Sequence, residues 1–198
     1  EKMNLKESIN KHVNKNNIWK NSVFEDLTNE SNDARGKWGE DCLQKLIKNV
    51  TDFSVEWDGD SNTANECGSI FDILVNTKRT EVKTAMVGYN KKAEKASNTW
   101  QHENIYEENV WDKLLLFDIA PDGFYITTID FNDMCFGDDR HPVLKKKSTR
   151  HLSAWKFDTS KAVLERGLDN GYTIYIEVNE NGDFDKKGLK EYFEKHFV

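Results

Sequence analysis

Residues 68–86 read GSIFDILVNTKRTEVKTAM. Two runs in this stretch, 69–75 and 80–86, are rich in β-branched and apolar side chains, and polar residues separate them. Such a pattern is typical of two strands joined by a tight connection. We therefore predict a β-hairpin whose turn lies over Thr77 and Lys78.

Three charged side chains fall on one face of this predicted hairpin, because side chains alternate between the two faces of a strand. With that turn, Asp72 pairs directly with Lys83 at a Cβ separation of about 5 Å, and Glu81 is the diagonal neighbour. Two carboxylates beside an ammonium are suited to a divalent cation such as Mg²⁺, which takes oxygen ligands. The alternative is a solvated face with a cross-strand ion pair. Glu81 is the only Glu in the chain with a Lys two positions later, and apolar neighbours favour a position inside the sheet.

An Asp on one strand, followed by Glu-Val-Lys on the next and preceded by a helix carrying a Glu, resembles the PD-(D/E)XK nuclease superfamily. The resemblance covers roughly residues 35–130. Phe71 stands where the motif of the family has Pro. The resemblance implies the restriction-endonuclease-like fold of class α/β, a mixed central β-sheet flanked by helices. It also implies Mg²⁺-dependent hydrolysis of DNA phosphodiesters to 5′-phosphate and 3′-hydroxyl ends, with Mn²⁺ able to substitute.

The resemblance also implies a set of site residues. Asp72 and Glu81 would hold the metal with the Val82 carbonyl, and Lys83 would position the attacking water. Asn32-Asp33 offers an N-cap for a helix predicted over 34–49. Glu40 on this helix matches the acidic residue that many members carry on the first core helix, and it would assist or hold a second ion. Asp41 is the neighbouring alternative to Glu40.

A further site residue is expected on a short helix over 99–106. Several nuclease groups of this superfamily carry a Gln on the helix after the Glu-X-Lys strand, and Gln101 matches it best by position. His102 is the rival candidate. A single His is more often a hydrogen-bonded structural residue, and Lys83 already occupies the position of a general base.

The chain of 198 residues suits one domain. We divide it into an N-terminal helical extension (1–33), a nuclease core (34–130) and a C-terminal extension packed on the core (131–198). No apolar run is long enough to span a bilayer and no signal-peptide pattern is present, so we expect a cytoplasmic protein without a membrane partner. The odd number of cysteines, three without a CxxC pair, makes a disulfide framework and structural zinc poor interpretations.

Charge is unevenly distributed along the chain. The net charge of −7 counts against a nucleic-acid binder, which is usually basic. However, residues 140–157 contain no carboxylate, and residues 87–97 form a second basic stretch, both interpreted as loops facing DNA. Segregated charge can bind DNA despite the net sign. The predicted DNA-binding residues are Lys91, Lys92, Lys145, Lys146, Lys147 and Arg150.

Other segments predict the remaining elements of a mixed sheet. Residues 53–57 alternate as a strand, and residues 111–119 and 123–129 predict two adjacent strands around a Pro-Asp-Gly turn. The first of these two is almost wholly apolar and therefore central. Farther on, we predict a helix capped by 158–160, a strand over 172–178 and a terminal amphipathic helix over 186–197.

Within the nuclease hypothesis, we favour a small type II restriction endonuclease acting as a homodimer, since symmetric duplex sites are cut by symmetric dimers. A phage or DNA-repair nuclease is the nearest alternative. A non-catalytic interaction protein that kept the fold is a second class, favoured by the acidity and by the missing Pro. A small-molecule phosphohydrolase lacks the expected His-Asp cluster or Gly-rich phosphate loop. The recognition sequence and cleavage position cannot be derived from periodicity.

Overall fold

A computed structural model describes residues 18–57, 71–90, 95–96, 99–106, 111–133, 144–146 and 154–198. The described elements form a mixed α/β fold, which confirms the predicted class of a mixed sheet flanked by helices. The helices are α1 (Asn32–Val50), α2 (Lys161–Asn170) and α3 (Lys186–Phe197), with short 3-10 turns at Glu25–Asn29 and Phe131–Asp133. The strands are β1 (Val55–Trp57), β2 (Ile73–Val75), β3 (Lys78–Met86), β4 (Tyr89–Asn90), β5 (Lys95–Ala96), β6 (Thr99–Tyr106), β7 (Lys113–Ala120), β8 (Gly123–Asp130), β9 (Leu144–Lys146), β10 (Ala154–Ser160) and β11 (Thr173–Glu177).

The main sheet has six strands in the order β1-β2-β3-β7-β8-β11. Strands β3 and β7 pair in parallel, and the other neighbours pair antiparallel. Every residue of β7 is buried, as expected for the central strand that its apolar sequence predicts. Strand β11 forms the edge beside β8, so the chain beyond residue 130 completes the main sheet.

Two layers cover the faces of the main sheet. On one face, α1 and α3 bury Leu43, Ile47 and Phe193 against the β3 and β7 side chains Val82 and Phe117. Over the other face lie the strands of a second sheet, ordered β6-β10-β9. Their Ile105, Trp155 and Phe157 pack on Leu114 and Leu116 of β7. Residues alternating along β3 and β7 therefore point to different layers.

The β2–β3 hairpin has a different register from the predicted one. Ile73 pairs with Thr80 and Val75 with Lys78, so the turn consists of Asn76 and Thr77. Both turn residues have positive φ, 46° and 68°, as a two-residue type I′ turn requires. The predicted turn over Thr77 and Lys78 is wrong. Each β2 residue pairs with a β3 residue two positions earlier than predicted, as Leu74 does with Arg79. A shift of two keeps each side chain on its face, because the period of a strand is two.

The predicted helix over 99–106 is also wrong, because this segment is strand β6. It pairs antiparallel with β10, from Thr99 opposite Ser160 to Tyr106 opposite Ala154. A β-bulge interrupts the pairing, and Asn104 has a φ of 58° there. Pairing with β10, far along the chain, makes this segment a strand, and the local residue pattern therefore predicts the wrong conformation. The stretches interpreted as basic loops also hold strands: β4 and β5 in the first, β9 and the start of β10 in the second.

The predicted helices that correspond to α1, α2 and α3 are confirmed, with one corrected cap. Residues 18–31 of the predicted N-terminal helical extension hold turns and the 3-10 helix Glu25–Asn29. The Ser31 side chain accepts a hydrogen bond from Ala34 N at 3.1 Å, so Ser31, not the predicted Asn32-Asp33, is the N-cap of α1. Helix α2 starts after the predicted cap at Ser160, and α3 has the predicted bounds. In the predicted N-terminal extension, residues 1–17 lie outside the described residues. Among the helices that are described, none is long and apolar enough to cross a membrane.

Candidate active site

A cleft of about 800 Å³ opens between the first turns of α1, the second half of β3 and strand β6. Five of the residues expected in the site line it: Glu40, Asp72, Val82, Lys83 and Gln101. A second cavity, of about 430 Å³, lies at the start of β3 and β7 and is lined by none of them. The first cleft is therefore the candidate active site.

Asp72, Glu81 and Lys83 lie on the same face of the sheet, at the point where β2 begins. The β2–β3 ladder ends at Ile73 opposite Thr80, and the Asp72 amide donates to Thr80 O at 3.1 Å. Asp72 therefore lies next to Glu81 and not opposite Lys83 as predicted. The Val82 amide donates a hydrogen bond to Asp72 Oδ2 at 2.6 Å. Lys83 Nζ lies 2.5 Å from Glu81 Oε1. The two carboxylates and the ammonium thus form one local cluster.

The carboxyl group of Asp72 has a pKa well above its usual value. Burial is the main cause, and the carboxylates of Glu81 and Glu40 raise it further. The Lys83 ammonium and the hydrogen bond from Val82 N oppose the shift without cancelling it. Negative charge at this point of the sheet is therefore in excess, which a bound cation would relieve.

The Lys83 pKa is raised. Burial by itself lowers it, but the nearby carboxylates of Glu81, Asp72 and Glu40 outweigh that effect. The Lys83 side chain is 22% exposed to solvent, so a ligand in the cleft can reach it. Lys83 is therefore an ammonium at neutral pH, able to donate hydrogen bonds and to stabilise negative charge.

Glu40 reaches the cluster from α1. The helix approaches β3 closely at Gly39, where an added Cβ would lie 1.8 Å from Thr84 Oγ1. Trp57 Nε1 donates to Glu40 Oε2 at 3.5 Å. Burial raises the pKa of Glu40, with a smaller contribution from Glu81, and the contact with Trp57 lowers it. Asp41, the alternative, lies in a different groove and contacts Lys45 Nζ at 2.6 Å.

The donor set fits a hard cation. Mg²⁺ typically keeps several waters and uses one or two carboxylates plus substrate oxygens. Asp72 and Glu81 supply the carboxylates. Since the amide and carbonyl of one strand residue point to the same edge, the Val82 carbonyl faces the same side as the amide bonded to Asp72. No three His, Cys, Asp or Glu side chains of the described residues form a ready-made metal cage, so substrate and water must complete the coordination shell.

Gln101 and His102 have opposite environments on β6. Gln101 is exposed at the cleft, whereas the His102 side chain is fully buried and its Nε2 lies 2.6 Å from Asp118 Oδ1. His102 Nδ1 and Asp118 Oδ2 have no hydrogen-bond partner among the described residues. This geometry favours Gln101 as the group that can touch a ligand, and it makes His102 a link between β6 and β7.

The predicted DNA-binding residues are only partly described. The side chains of Lys145 and Lys146, on β9, are not described. The other four lie outside the described residues: Lys91, Lys92, Lys147 and Arg150.

Sequence reasoning missed three residues that shape the site. Asp118 interrupts an otherwise apolar strand, and such a residue needs a buried partner, which was the available signal. Arg35 lines the cleft beside the start of α1. The contact between Trp57 and Glu40 has no local sequence signal, because it joins a strand to a helix.

Comparisons of the chain with protein-family models, with curated proteins and with solved structures found no match.

Proposed function

We propose that this protein is a metal-dependent endonuclease of the PD-(D/E)XK type that hydrolyses DNA phosphodiesters. The observation that carries the proposal is the cluster of Asp72, Lys83 and Glu40 in the cleft lining, with Glu81 against Lys83 just behind that lining. Asp72, Glu81 and Lys83 were expected there from the strand pattern, and Glu40 was expected from the family resemblance. Burial and like charge raise the Asp72 pKa, an arrangement that structural ion pairs seldom need but functional sites often use.

In this proposal Asp72 and Glu81 hold Mg²⁺ or Mn²⁺ with the Val82 carbonyl, and Glu40 assists or holds a second ion. The metal, when bound, polarises the phosphodiester and lowers the pKa of a bound water. The Lys83 ammonium orients the attacking water and stabilises charge on the phosphorane. The Val82 amide and Trp57 keep the carboxylates of Asp72 and Glu40 in place. Gln101 contacts the substrate from the opposite wall.

The reaction balances as a hydrolysis. A water oxygen bonds to phosphorus while the bond between phosphorus and the 3′ oxygen breaks. The attacking water releases a proton to solvent, and the 3′ oxygen takes one up. The products are a 5′-phosphate and a 3′-hydroxyl.

Within this reaction class we favour a small type II restriction endonuclease working as a homodimer in the cytoplasm. A phage or repair nuclease is the alternative. Discrete plasmid fragments, together with a protein that sediments as a dimer, would support a restriction endonuclease. Nicked circles or a continuous smear would support the alternative.

Supercoiled plasmid and a labelled duplex, incubated with Mg²⁺ or Mn²⁺, test the proposal. The wild type should cleave, EDTA should stop cleavage, and Glu81→Gln and Lys83→Met should each reduce kcat about 10²-fold or more. Glu177→Gln, an exposed carboxylate change on β11, is the matched control and should cleave like the wild type.

Absence of wild-type cleavage, or equal cleavage by all four proteins, would refute the proposal. Calorimetry with Mn²⁺ adds a second readout. If neither Mn²⁺ nor duplex DNA binds in a way that depends on Glu81, the protein is a non-catalytic one that uses the fold for another interaction.

A further inference from the structure

We propose that Arg35 is a phosphate-binding residue of the cleft, contacting the substrate strand beside the cleaved linkage. This inference rests on the proposed nuclease function. Arg35 was not among the expected site residues.

The guanidinium of Arg35 is oriented by neutral groups. One terminal nitrogen donates to Asn32 Oδ1, and the other lies 3.9 Å from Met86 Sδ at the end of β3. Within the described part of the chain Arg35 makes no ion pair. No carboxylate of the described residues pairs with its charge, and its side chain is held half-buried at the cleft wall.

This differs from several other basic side chains of the described residues. Lys83 contacts Glu81, Arg79 forms a two-pronged pair with Asp112, and Lys45 contacts Asp41. Arg35 is left free to meet an anion from outside the chain. A guanidinium also offers two parallel donors, which match the oxygens of a phosphate.

The position of Arg35 on α1 sets which phosphate it can reach. Arg35 precedes Glu40 by five residues on the same helix, a rise of about 7.5 Å along the axis. Positions five apart also differ by about 140° around the helix axis, so Arg35 and Glu40 reach the shared cleft from different sides of α1. With the scissile phosphate at Glu40 and Asp72, Arg35 meets a phosphate beside it. The positive end of the α1 dipole lies at the same side and adds to the attraction.

The electrostatics of the cleft call for such a group. Glu40 and Asp72 line the cleft, and Glu81 contacts the lining residue Lys83. The charges of these carboxylates repel an approaching phosphodiester until a cation is bound. The Arg35 guanidinium on the cleft wall offsets that repulsion and orients the substrate strand in the cleft.

The test compares Arg35→Gln and Arg35→Lys with Arg166→Gln, a matched change at an exposed arginine on α2. Cleavage of a short duplex with Mg²⁺ gives kcat and KM. Fluorescence anisotropy of the same labelled duplex in Ca²⁺, across a series of KCl concentrations, gives the salt dependence of binding. Thermal unfolding verifies that each variant is folded.

For Arg35→Gln we expect KM to rise about tenfold with kcat little changed, and the slope of log K against log salt to fall by about one. Arg35→Lys keeps the charge but not the two-pronged geometry, so it should keep the slope and show an intermediate KM. Arg166→Gln should change neither quantity.

An unchanged KM and slope in folded Arg35→Gln, or an equal fall of slope in Arg166→Gln, would overturn the inference. If the wild type binds duplex but never cleaves it, and the slope still falls in Arg35→Gln, the nuclease proposal fails while the phosphate site stands. If the wild type cleaves and Arg35→Gln matches it, only the phosphate site fails. A wild type that neither binds nor cleaves DNA removes both.

Discussion

Replacing Asp72 by Asn should stabilise the protein and abolish its activity. Asp72 lies just before β2, and the carboxylate of Glu81 on the paired strand β3 raises its pKa. Side chains of paired strands approach to about 5 Å between Cβ atoms. Two carboxylates at that distance repel each other by about 3 kcal/mol at an effective dielectric constant near 20. The Lys83 ammonium, 2.5 Å from the Glu81 carboxylate, offsets the larger part of this repulsion. The Asn side-chain oxygen can still accept the hydrogen bond from Val82 N, so we expect a net gain of about 1 kcal/mol in the free energy of unfolding.

The pH dependence of this gain follows from the raised pKa of Asp72, caused first by burial and then by Glu81 and Glu40. A carboxyl group with a raised folded-state pKa carries no penalty below its unfolded pKa of about 4, where both states are protonated. The penalty grows as the pH rises from the unfolded pKa to the raised folded pKa, and it is constant above the folded pKa. The stability difference between Asp72→Asn and the wild type should therefore be small at low pH and fully present at high pH.

Urea unfolding followed by tryptophan fluorescence, with and without Mg²⁺, measures these effects. At a Mg²⁺ concentration ten times its Kd, the wild type should gain about 1.4 kcal/mol, and Asp72→Asn should gain almost nothing. Asp52→Asn, at an exposed position before β1, is the control that should match the wild type. The reasoning would be refuted if Asp72→Asn were less stable than the wild type at high pH without metal. It would also be refuted if Mg²⁺ stabilised Asp72→Asn as much as the wild type.

Two further predictions concern packing around the cleft. Gly39→Ala should lower the free energy of unfolding by about 2 kcal/mol and reduce cleavage, because its Cβ would lie 1.8 Å from Thr84 Oγ1 and 2.7 Å from Thr84 Cβ. Gly36→Ala, on the same helix with no atom within 4 Å of the added Cβ, should be neutral or stabilising, and equal urea midpoints for the two variants would contradict the close contact. His102→Ala should cost about 3 kcal/mol, since it leaves the Asp118 carboxyl buried without its partner. Changing both His102 and Asp118 to Leu should recover much of that loss, and a midpoint unaffected by His102→Ala would show that the pair does not stabilise the fold.

The elements with strong local patterns could be predicted from the sequence. Strand β7 is apolar apart from Lys113 and Asp118 because both its faces are buried, and α3 is marked by its amphipathic spacing. The shared face of Asp72, Glu81 and Lys83 also follows from the sequence. Alternation along a strand has a period of two, and the register error was a shift of two, so the face survived the error.

The register of the β2–β3 hairpin and the conformation of segment 99–106 depend on contacts that the spacing of residues along the chain does not reveal. The turn position was decided by positive φ at Asn76 and Thr77, and only the Asn preference for such angles was a local signal. Segment 99–106 is a strand because β10 pairs with it.

The sequence by itself determined the mixed α/β class, the main helices and the common face of the three charged groups, because hydrophobic periodicity is a local property of the chain. Tertiary structure alone decided that Glu40 and Arg35 reach the same cleft and that Gln101 faces it while His102 is buried. These positions depend on the approach of α1 to β3 at Gly39 and on the pairing of β6 with β10. Contacts between residues far apart in the chain are set by packing and by burial of the whole sheet, and no short window of sequence contains them.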